Sequence, residues 1–192
     1  MNDPIKIIKT EILSHKWSEL KEVTFKYQQK DGNWQTQKRE IYGRGNAAAI
    51  LLYNKNKRSV ILTRQFRLAS FLNGNRSGML IEACAGLLDD DNPYDAIKRE
   101  TEEETGYRIH HVTKIFESYM SPGSLTEILY FFIAEYTHDM KVSEGGGVAH
   151  EQENIEVLEL DFDDAFKMIE SGEIKDAKTI LLLQYIRLNN IL

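Results

Sequence analysis

Three glutamates within a short stretch, Glu100, Glu103 and Glu104, are the side chains of this sequence best suited to bind a metal ion. On an α-helix their spacings of three and four residues place them on one face, where like charges repel. Arg99 lies four residues before Glu103 and offsets only part of that repulsion. A cluster of carboxylate oxygens suits a hard divalent cation, most simply Mg²⁺. The alternative interpretation is a solvated acidic helix face, which is what most glutamate runs form.

The residues around these glutamates predict the helix that must position them. Asn92 is a good N-cap residue, and Pro93 suits the first helical position. Asp95 falls in the first turn, where a carboxylate favours the exposed N–H groups and the helix dipole. Gly106 is typical of the residue just past a helix end. The sequence therefore predicts a helix at about 93–105.

The whole segment resembles the signature box of the Nudix hydrolases. That pattern is G-x5-E-x7-R-E-U-x-E-E-x-G-U, where U is an aliphatic or similar residue. The matching residues in this chain are Gly86, Arg99, Glu100, Glu103, Glu104, Gly106 and Tyr107. A match of this length is far more specific than a lone glycine motif.

The chain departs from the box at two places. Thr101 holds a position that is usually aliphatic. The gap from Gly86 to Arg99 is one residue short, so the first glutamate of the pattern falls on Asn92 when counted forward from Gly86. Counted backward from Arg99, it falls on Asp91.

Composition excludes several classes of protein. The net charge of −6 and pI of about 5.4 argue against a general nucleic-acid binder. No apolar run is long enough to span a membrane, and residues 1–9 lack the apolar core of a signal peptide. The single cysteine, Cys84, cannot form an internal disulfide, so we expect a buried thiol in a cytoplasmic protein. The five histidines show no zinc-ligand spacing.

The pattern along the chain predicts two parts. Residues 4–13, 17–29 and 34–43 alternate apolar and polar positions in part, which predicts an antiparallel β-meander with a hairpin at Asp31-Gly32. We therefore expect an N-terminal β subdomain at residues 1–44, which the resemblance makes a dimerisation element. Residues 45–192 form the predicted Nudix domain.

The second part alternates strands and helices. Strands are predicted at 46–54, 59–67, 79–85, 111–119, 127–136 and 155–160, and closing helices at 162–171 and 176–190. Mixed strands with helices on both sides fit an α/β (α+β) sandwich. The resemblance specifies the Nudix α/β/α sandwich with a mixed sheet, preceded by the β-meander. Residues 139–152 are predicted to be a polar loop, and its three glycines indicate either a mobile lid or a linker.

The resemblance covers the whole chain and is closest to the GDP-mannose pyrophosphatases of the superfamily. The stretches that carry it include KREIYGRGNAAAILLYN, RQFR, EACAGLLDDDNP, YMSPGSLTE and GEIKDAKT. It implies Mg²⁺ held by the Ala85 carbonyl, Glu100 and Glu104, with Glu103 as a further ligand. Arg99, Glu103 and a glutamate of the glycine loop complete the expected catalytic set.

The loop glutamate has two possible positions. Alignment from the left side of the loop gives Glu151, and alignment from the strand on its right gives Glu153. We favour Glu153, because anchoring by a strand fixes the register better than a glycine loop does. Either one is expected to be a metal ligand or the general base.

The resemblance also implies a set of residues that contact a nucleotide-sugar substrate. These are Trp17, Lys38, Arg39, Glu40, Arg67, Ala85, Gly86, Leu87, Glu104, Glu127 and Lys178. Lys38–Glu40 would reach the base and ribose across a homodimer interface. Trp17 stands where the family favours tyrosine, which keeps stacking on a base but removes a phenolic hydrogen bond.

The expected function is Mg²⁺-dependent hydrolysis of GDP-mannose to GMP and mannose 1-phosphate by a homodimer. One alternative is an ADP-ribose pyrophosphatase with the same chemistry and a different base pocket. Another is a Nudix-fold module that binds a nucleotide sugar without cutting it. Such modules usually lose carboxylates of the box, whereas this chain keeps Arg99, Glu100, Glu103 and Glu104.

Overall fold

A computed structural model describes residues 4–148 and 153–192. The chain folds into two compact units. One contains the described residues up to Asn46 together with Tyr119–Ile128, and the other contains Ala47–Ser118 and Leu129–Leu192.

The first unit is a three-stranded antiparallel sheet in the order β1-β2-β3. Its strands are β1 (Ile5–His15), β2 (Glu19–Gln28) and β3 (Trp34–Gly43). The predicted hairpin is present, with Gly32 at φ +87° between β2 and β3. Nearly every residue of β1 is exposed, including Ile7, Ile8 and Ile12. This sheet thus carries apolar side chains on a solvent-facing surface.

The second unit is built on a seven-stranded mixed sheet. Its strands are β4 (Ala47–Asn54), β5 (Ser59–Phe66), β6 (Met79–Glu82), β7 (Cys84–Leu87), β8 (Thr113–Tyr119), β9 (Ile128–Glu135) and β10 (Glu156–Asp161). The main path runs β10-β5-β4-β9-β8, while β6 pairs with β5 and β7 pairs with β4. Strand β4 pairs parallel with β9 and antiparallel with β5 and β7, so the sheet is mixed as predicted.

Four helices accompany this sheet. They are α1 (Leu68–Leu72), α2 (Pro93–Thr105), α3 (Phe162–Ser171) and α4 (Ala177–Leu188). Ala48, Ile50 and Leu52 of β4 pack in one cluster with Ala96 and Ile97 of α2. Successive strand residues point to opposite faces, and α4 contacts β4 as well, so β4 is buried on both sides. This arrangement is the predicted α/β/α sandwich.

Two details differ from the sequence-based prediction. The single strand expected at 79–85 is two strands, because the chain changes partner from β5 to β4 at Ala83. Helix α1 is not predicted, since its five residues are too short to show helical periodicity. Among the described residues, no helix is both long and apolar enough to cross a lipid bilayer.

Candidate active site

Helix α2 presents the glutamates, and its ends are fixed as the sequence predicts. The Asn92 side chain accepts hydrogen bonds from the backbone N–H groups of Tyr94 and Asp95 at 3.0 and 3.1 Å. Gly106 ends the helix in the left-handed conformation, with φ +78°. Both ends are therefore capped, and the direction in which the glutamates project is set locally.

Four carboxylates, referred to here as the acidic cluster, gather beside α2: Glu100, Glu103, Glu104 and Glu153. Arg99 is the cation among them. Its Nη1 lies 2.8 Å from Glu100 Oε1 and 3.1 Å from Glu103 Oε2. One guanidinium thus serves two of the four carboxylates, as the spacing of the helix residues indicates.

Glu104 is the most deeply placed member of the acidic cluster. Only 2% of the residue is exposed, and its Oε2 accepts a hydrogen bond from the Ala85 N–H at 3.2 Å. Burial, together with the charges of Glu100 and Glu153, raises the pKa of Glu104 to about 8. A buried carboxylate with neighbours of the same sign strongly favours a cationic ligand.

Glu100 is held in a comparable state. Burial, opposed by Arg99 and reinforced by the charges of Glu103 and Glu153, raises the pKa of Glu100 to about 7. Its side chain crosses directly over Gly86, where a Cβ would collide with the Glu100 carboxyl group. Glycine at position 86 therefore leaves room for the Glu100 side chain, which is a physical reason for the first glycine of the box.

The glycine loop is attached to the end of α2. Gly146 N–H donates to the Glu104 carbonyl at 2.9 Å, and Gly147 N–H donates to the Glu103 carbonyl at 3.0 Å. These bonds satisfy carbonyls that a helix C-terminus leaves without partners. The described part of the loop is therefore neither a free lid nor a simple linker, the two possibilities the sequence left open.

Glu153 belongs to the acidic cluster because of this attachment. Its Oε2 accepts a hydrogen bond from the Val148 N–H at 3.0 Å, and its side chain packs over Gly147, where a Cβ would collide with it. The other loop glutamate of the prediction, Glu151, lies outside the described residues. The choice between the two thus stays a prediction.

The short first half of the box can be compared with the structure directly. Asp91 Oδ2 lies 3.5 Å from Arg99 Nε, whereas Asn92 caps the helix. Counting backward from Arg99 therefore gives the residue that contacts the arginine. The missing residue lies between Gly86 and Asp91.

A second group of charges, referred to here as the mixed-charge cluster, consists of Arg67, Lys178, Glu82 and Asp176. Arg67 donates from Nε and Nη2 to Glu82 Oε2 at 3.0 and 2.6 Å. Lys178 Nζ lies 3.4 Å from Glu82 Oε1 and 3.0 Å from Asp176 Oδ1. Two cations thus alternate with two carboxylates.

The two clusters are electrostatic neighbours. Burial acts to lower the pKa of Arg67, but Glu82 and then Glu104 outweigh that effect and the pKa is raised. An effect of Glu104 on Arg67 requires the two side chains to lie within the range of weakly screened charges. The acidic cluster and the cations Arg67 and Lys178 therefore share one region of the second unit.

Comparisons with known proteins agree with this geometry. The model of the NUDIX domain matches residues 43–183, and that of the GDP-mannose pyrophosphatase NudK N-terminal domain matches residues 4–42. The chain belongs to the Nudix family. Relatives named GDP-mannose pyrophosphatase from Shigella flexneri and Escherichia coli O157:H7 are 52% identical over all 192 residues and over their own full length. One from Cronobacter sakazakii is 52% identical over 188 residues, 98% of this chain and 97% of that protein.

Nudix hydrolases generally use divalent metal ions, and the residues present fit such an ion. The acidic cluster offers oxygen donors alone, which is the chemistry of Mg²⁺ and similar hard cations. The raised pKa values of Glu100 and Glu104 reflect burial first and the charges of neighbouring carboxylates second, and a bound cation would offset both effects. Within 4–148 and 153–192, no group of three or more His, Cys, Asp or Glu side chains has an arrangement that could already hold a metal ion.

The remaining predicted residues of this Nudix hydrolase lie in two places. Ala85, Gly86 and Leu87 belong to β7, beside Glu100 and Glu104. The first unit carries Trp17, Lys38, Arg39, Glu40 and Glu127. Among them, Lys38 pairs with Glu22 at 2.7 Å, and Arg39 and Glu40 are exposed.

Trp17 and Glu127 share one neighbour within the first unit. The Arg44 guanidinium carbon lies 5.9 Å from the centre of the Trp17 ring, and Arg44 Nε lies 3.3 Å from Glu127 Oε1. The Trp17 side chain remains exposed, which leaves its ring available for stacking.

Sequence reasoning missed two residues of the mixed-charge cluster, Glu82 and Asp176. A signal for Glu82 was present, since it is a lone carboxylate in the apolar run MLIEACAGLL and is 4% exposed in the structure. A charge in such a run indicates a buried ion pair. Its partners lie far along the chain, so their identity was not readable from the pattern.

Proposed function

We propose that this Nudix hydrolase cleaves the diphosphate of a nucleoside diphosphate sugar, preferably GDP-mannose, and releases GMP and mannose 1-phosphate. The acidic cluster beside the mixed-charge cluster is the observation that carries the proposal. The first suits a divalent cation and the second suits phosphate oxygens. The relatives named GDP-mannose pyrophosphatase support the choice of substrate, since they match from end to end.

Each residue of the acidic cluster has a proposed role. Glu100, Glu104 and the Ala85 carbonyl would hold Mg²⁺, with Glu103 as a further ligand. When bound, the ion supplies positive charge for the diphosphate and a polarised water molecule. Arg99 orients Glu100 and Glu103 through its two ion pairs. Glu153 would accept the proton of the attacking water as general base, with Glu151 as the alternative.

The substrate is held by other groups. Arg67 and Lys178 would bind the diphosphate oxygens, since guanidinium and ammonium groups form charge-assisted hydrogen bonds with phosphate. The backbone of Ala85–Leu87 would lie alongside the same phosphates. Trp17, Lys38–Glu40 and Glu127 would contact the base, ribose and sugar.

Hydrolysis of a nucleotide-sugar panel with product identification tests this proposal. Purified protein with Mg²⁺ should turn over GDP-mannose with the highest kcat/KM and give GMP and mannose 1-phosphate. A higher kcat/KM for ADP-ribose would replace the proposed substrate by that of the related pyrophosphatases. Binding of GDP-mannose with no turnover of any member would make the protein a binding module.

We further propose that residues 1–44 form the dimer element. An edge strand such as β1 with exposed Ile7, Ile8 and Ile12 is a surface that natural proteins usually cover. A second copy of the chain would provide that cover. In the proposed homodimer, Arg39 and Trp17 of one chain reach the substrate of the other.

Mixing two inactive variants tests the shared site. Arg39→Ala and Glu104→Gln should each be inactive alone, and the mixture should regain activity once subunits exchange, because one site of a mixed dimer is intact. Light scattering should give about twice the chain mass of 22.2 kDa. A fully active monomer, or exchanged mixed dimers without activity, would refute the shared site.

The expected compartment is the cytoplasm. The one cysteine of the chain, Cys84, is buried and free, which is compatible with a reducing environment. Fractionation of cells that make the protein, followed by immunoblotting, tests this expectation.

A further inference from the structure

Glu82 occupies an unusual place for a carboxylate. It ends β6, it is 4% exposed, and apolar residues precede and follow it in the chain. Its two oxygens have separate partners, since Oε2 accepts both hydrogen bonds from Arg67 and Oε1 faces Lys178 Nζ at 3.4 Å. Glu82 therefore contacts both cations of the mixed-charge cluster.

The opposite side of Lys178 is fixed by the start of α4. Asp176 caps this helix by accepting from the Thr179 N–H at 3.0 Å and from the Thr179 hydroxyl at 2.6 Å. The same hydroxyl accepts from the Ala83 N–H at 2.6 Å. The backbone beside Glu82 and the carboxylate that pairs with Lys178 are thus connected through one buried hydroxyl.

This network restricts two side chains that are otherwise highly flexible. Arginine and lysine lose the most rotamer entropy of all residues when they are immobilised. Glu82 engages Nε and Nη2 of Arg67 and does not engage Nη1. The Arg67 side chain is still partly exposed, at 42%, so a bound anion can approach it. Part of the side-chain rotamer entropy that anion binding would otherwise remove from Arg67 and Lys178 is therefore already lost when the protein folds.

We propose that Glu82 is a positioning residue that sets Arg67 and Lys178 to receive the diphosphate of the substrate. It contacts neither substrate nor metal in this role and acts only through the two cations. The inference rests on the proposed function, because it requires that the ligand carry a diphosphate. A purely structural ion pair would stabilise the fold without affecting the affinity for such a ligand.

The test compares Glu82→Gln with Arg67→Gln and with the double variant. The first measurement is the Kd of GDP in EDTA, since removing metal leaves the protein cations as the groups that bind the diphosphate. Glu82→Gln should raise this Kd at least about tenfold, and should raise it by a smaller factor in the Arg67→Gln background, where Lys178 is the remaining cation of the pair for Glu82 to position.

The second measurement separates KM from kcat with GDP-mannose and Mg²⁺. Glu82→Gln should raise KM about tenfold and change kcat less than about threefold, as expected for lost binding in the ground and transition states alike. Glu156→Gln is the matched control, since Glu156 of β10 pairs with Arg64 of β5 at 2.8 Å and both side chains are exposed. It should leave both constants unchanged.

A folded Glu82→Gln variant with the GDP affinity of the unmodified protein would overturn the inference, as would a loss confined to kcat. If Glu82→Gln does not fold, Glu82→Asp keeps the charge but withdraws it from Arg67, and normal GDP affinity in that variant overturns the inference equally. The unmodified protein reports on the proposed function separately. If it binds GDP but cannot cleave GDP-mannose, the proposed function fails while the Glu82 result still stands.

Discussion

The acidic cluster and the mixed-charge cluster differ in how far their charges are balanced by charges of opposite sign. In the mixed-charge cluster, Arg67 and Lys178 alternate with Glu82 and Asp176, and every charge has a partner within 3.4 Å. The acidic cluster contains four carboxylates and one guanidinium, which pairs with two of them. Glu100 and Glu104 have pKa values raised to about 7 and about 8. The balanced group is expected to stabilise the fold in addition to its proposed role in binding the diphosphate, whereas the unbalanced group is expected to need a cation. Without metal, removing a charge from the acidic cluster should therefore maintain or raise the stability of the fold, whereas disturbing the mixed-charge cluster should lower it.

The largest expected effect is on catalysis by the acidic cluster. Glu100→Gln and Glu104→Gln, made singly, should each lower kcat at least about a hundredfold, because each removes a charged metal ligand. Without metal, thermal stability at pH 8 should hold or rise, since a repelling charge is gone. Near-normal turnover in both variants would contradict the proposal that these residues bind the metal. Lower stability of the variants without metal would contradict the expected difference between the two clusters.

The loop glutamate should give the next largest effect. Glu153→Gln is expected to lower kcat by at least about tenfold more than Glu151→Gln does, because the charge of Glu153 raises the pKa of both Glu100 and Glu104. The two variants serve as each other's control. The reverse ranking would show that alignment from the left of the loop was correct.

Disturbing the mixed-charge cluster should instead destabilise the protein. Thr179→Val removes the buried hydroxyl that connects Ala83 to Asp176, and should lower the free energy of unfolding by about 2 kcal/mol. Urea denaturation in EDTA at pH 5 and pH 8 should show a similar loss at both. Thr113→Val, at an exposed position on β8, is the control. A loss no greater than that of the control would mean that this hydroxyl is not a structural link.

The smallest expected effect is a pH dependence of stability. The folded pKa values of Glu100 and Glu104 lie above the ordinary value of 4.5. At pH values between 4.5 and these folded values, the folded state therefore binds more protons than the unfolded state does. Their contribution is fully present below pH 4.5 and is lost as pH rises through about 7 and 8. In EDTA, the free energy of unfolding should therefore fall as pH is raised from 5 to 8.5.

Glu104→Gln sharpens this measurement. The variant should lose much of the pH dependence, and Mg²⁺ should restore stability at pH 8 in the unmodified protein because it binds the folded state. An equal slope in the variant would assign the pH dependence to other groups.

Much of the fold was readable because its signals are local. The cap residues of α2 and its length follow from Asn92, Pro93 and Gly106, and β4 follows from a continuous apolar run. The split at Ala83 was not readable, because a change of strand partner leaves no mark on the alternation of side chains. Helix α1 was missed for a related reason, since one turn of helix is too short to establish a period.

The sequence by itself determined the order of the elements, the family and the face of α2 that carries the glutamates, because these depend on residue types at short spacings. Only the tertiary structure decided that Glu100 crosses Gly86, that Gly146 and Gly147 hold the end of α2, and that Glu82 joins Arg67 to Lys178. Those contacts link residues far apart in the chain. Burial and charge at such contacts depend on which strands and helices pack together, and this is a property of the folded molecule.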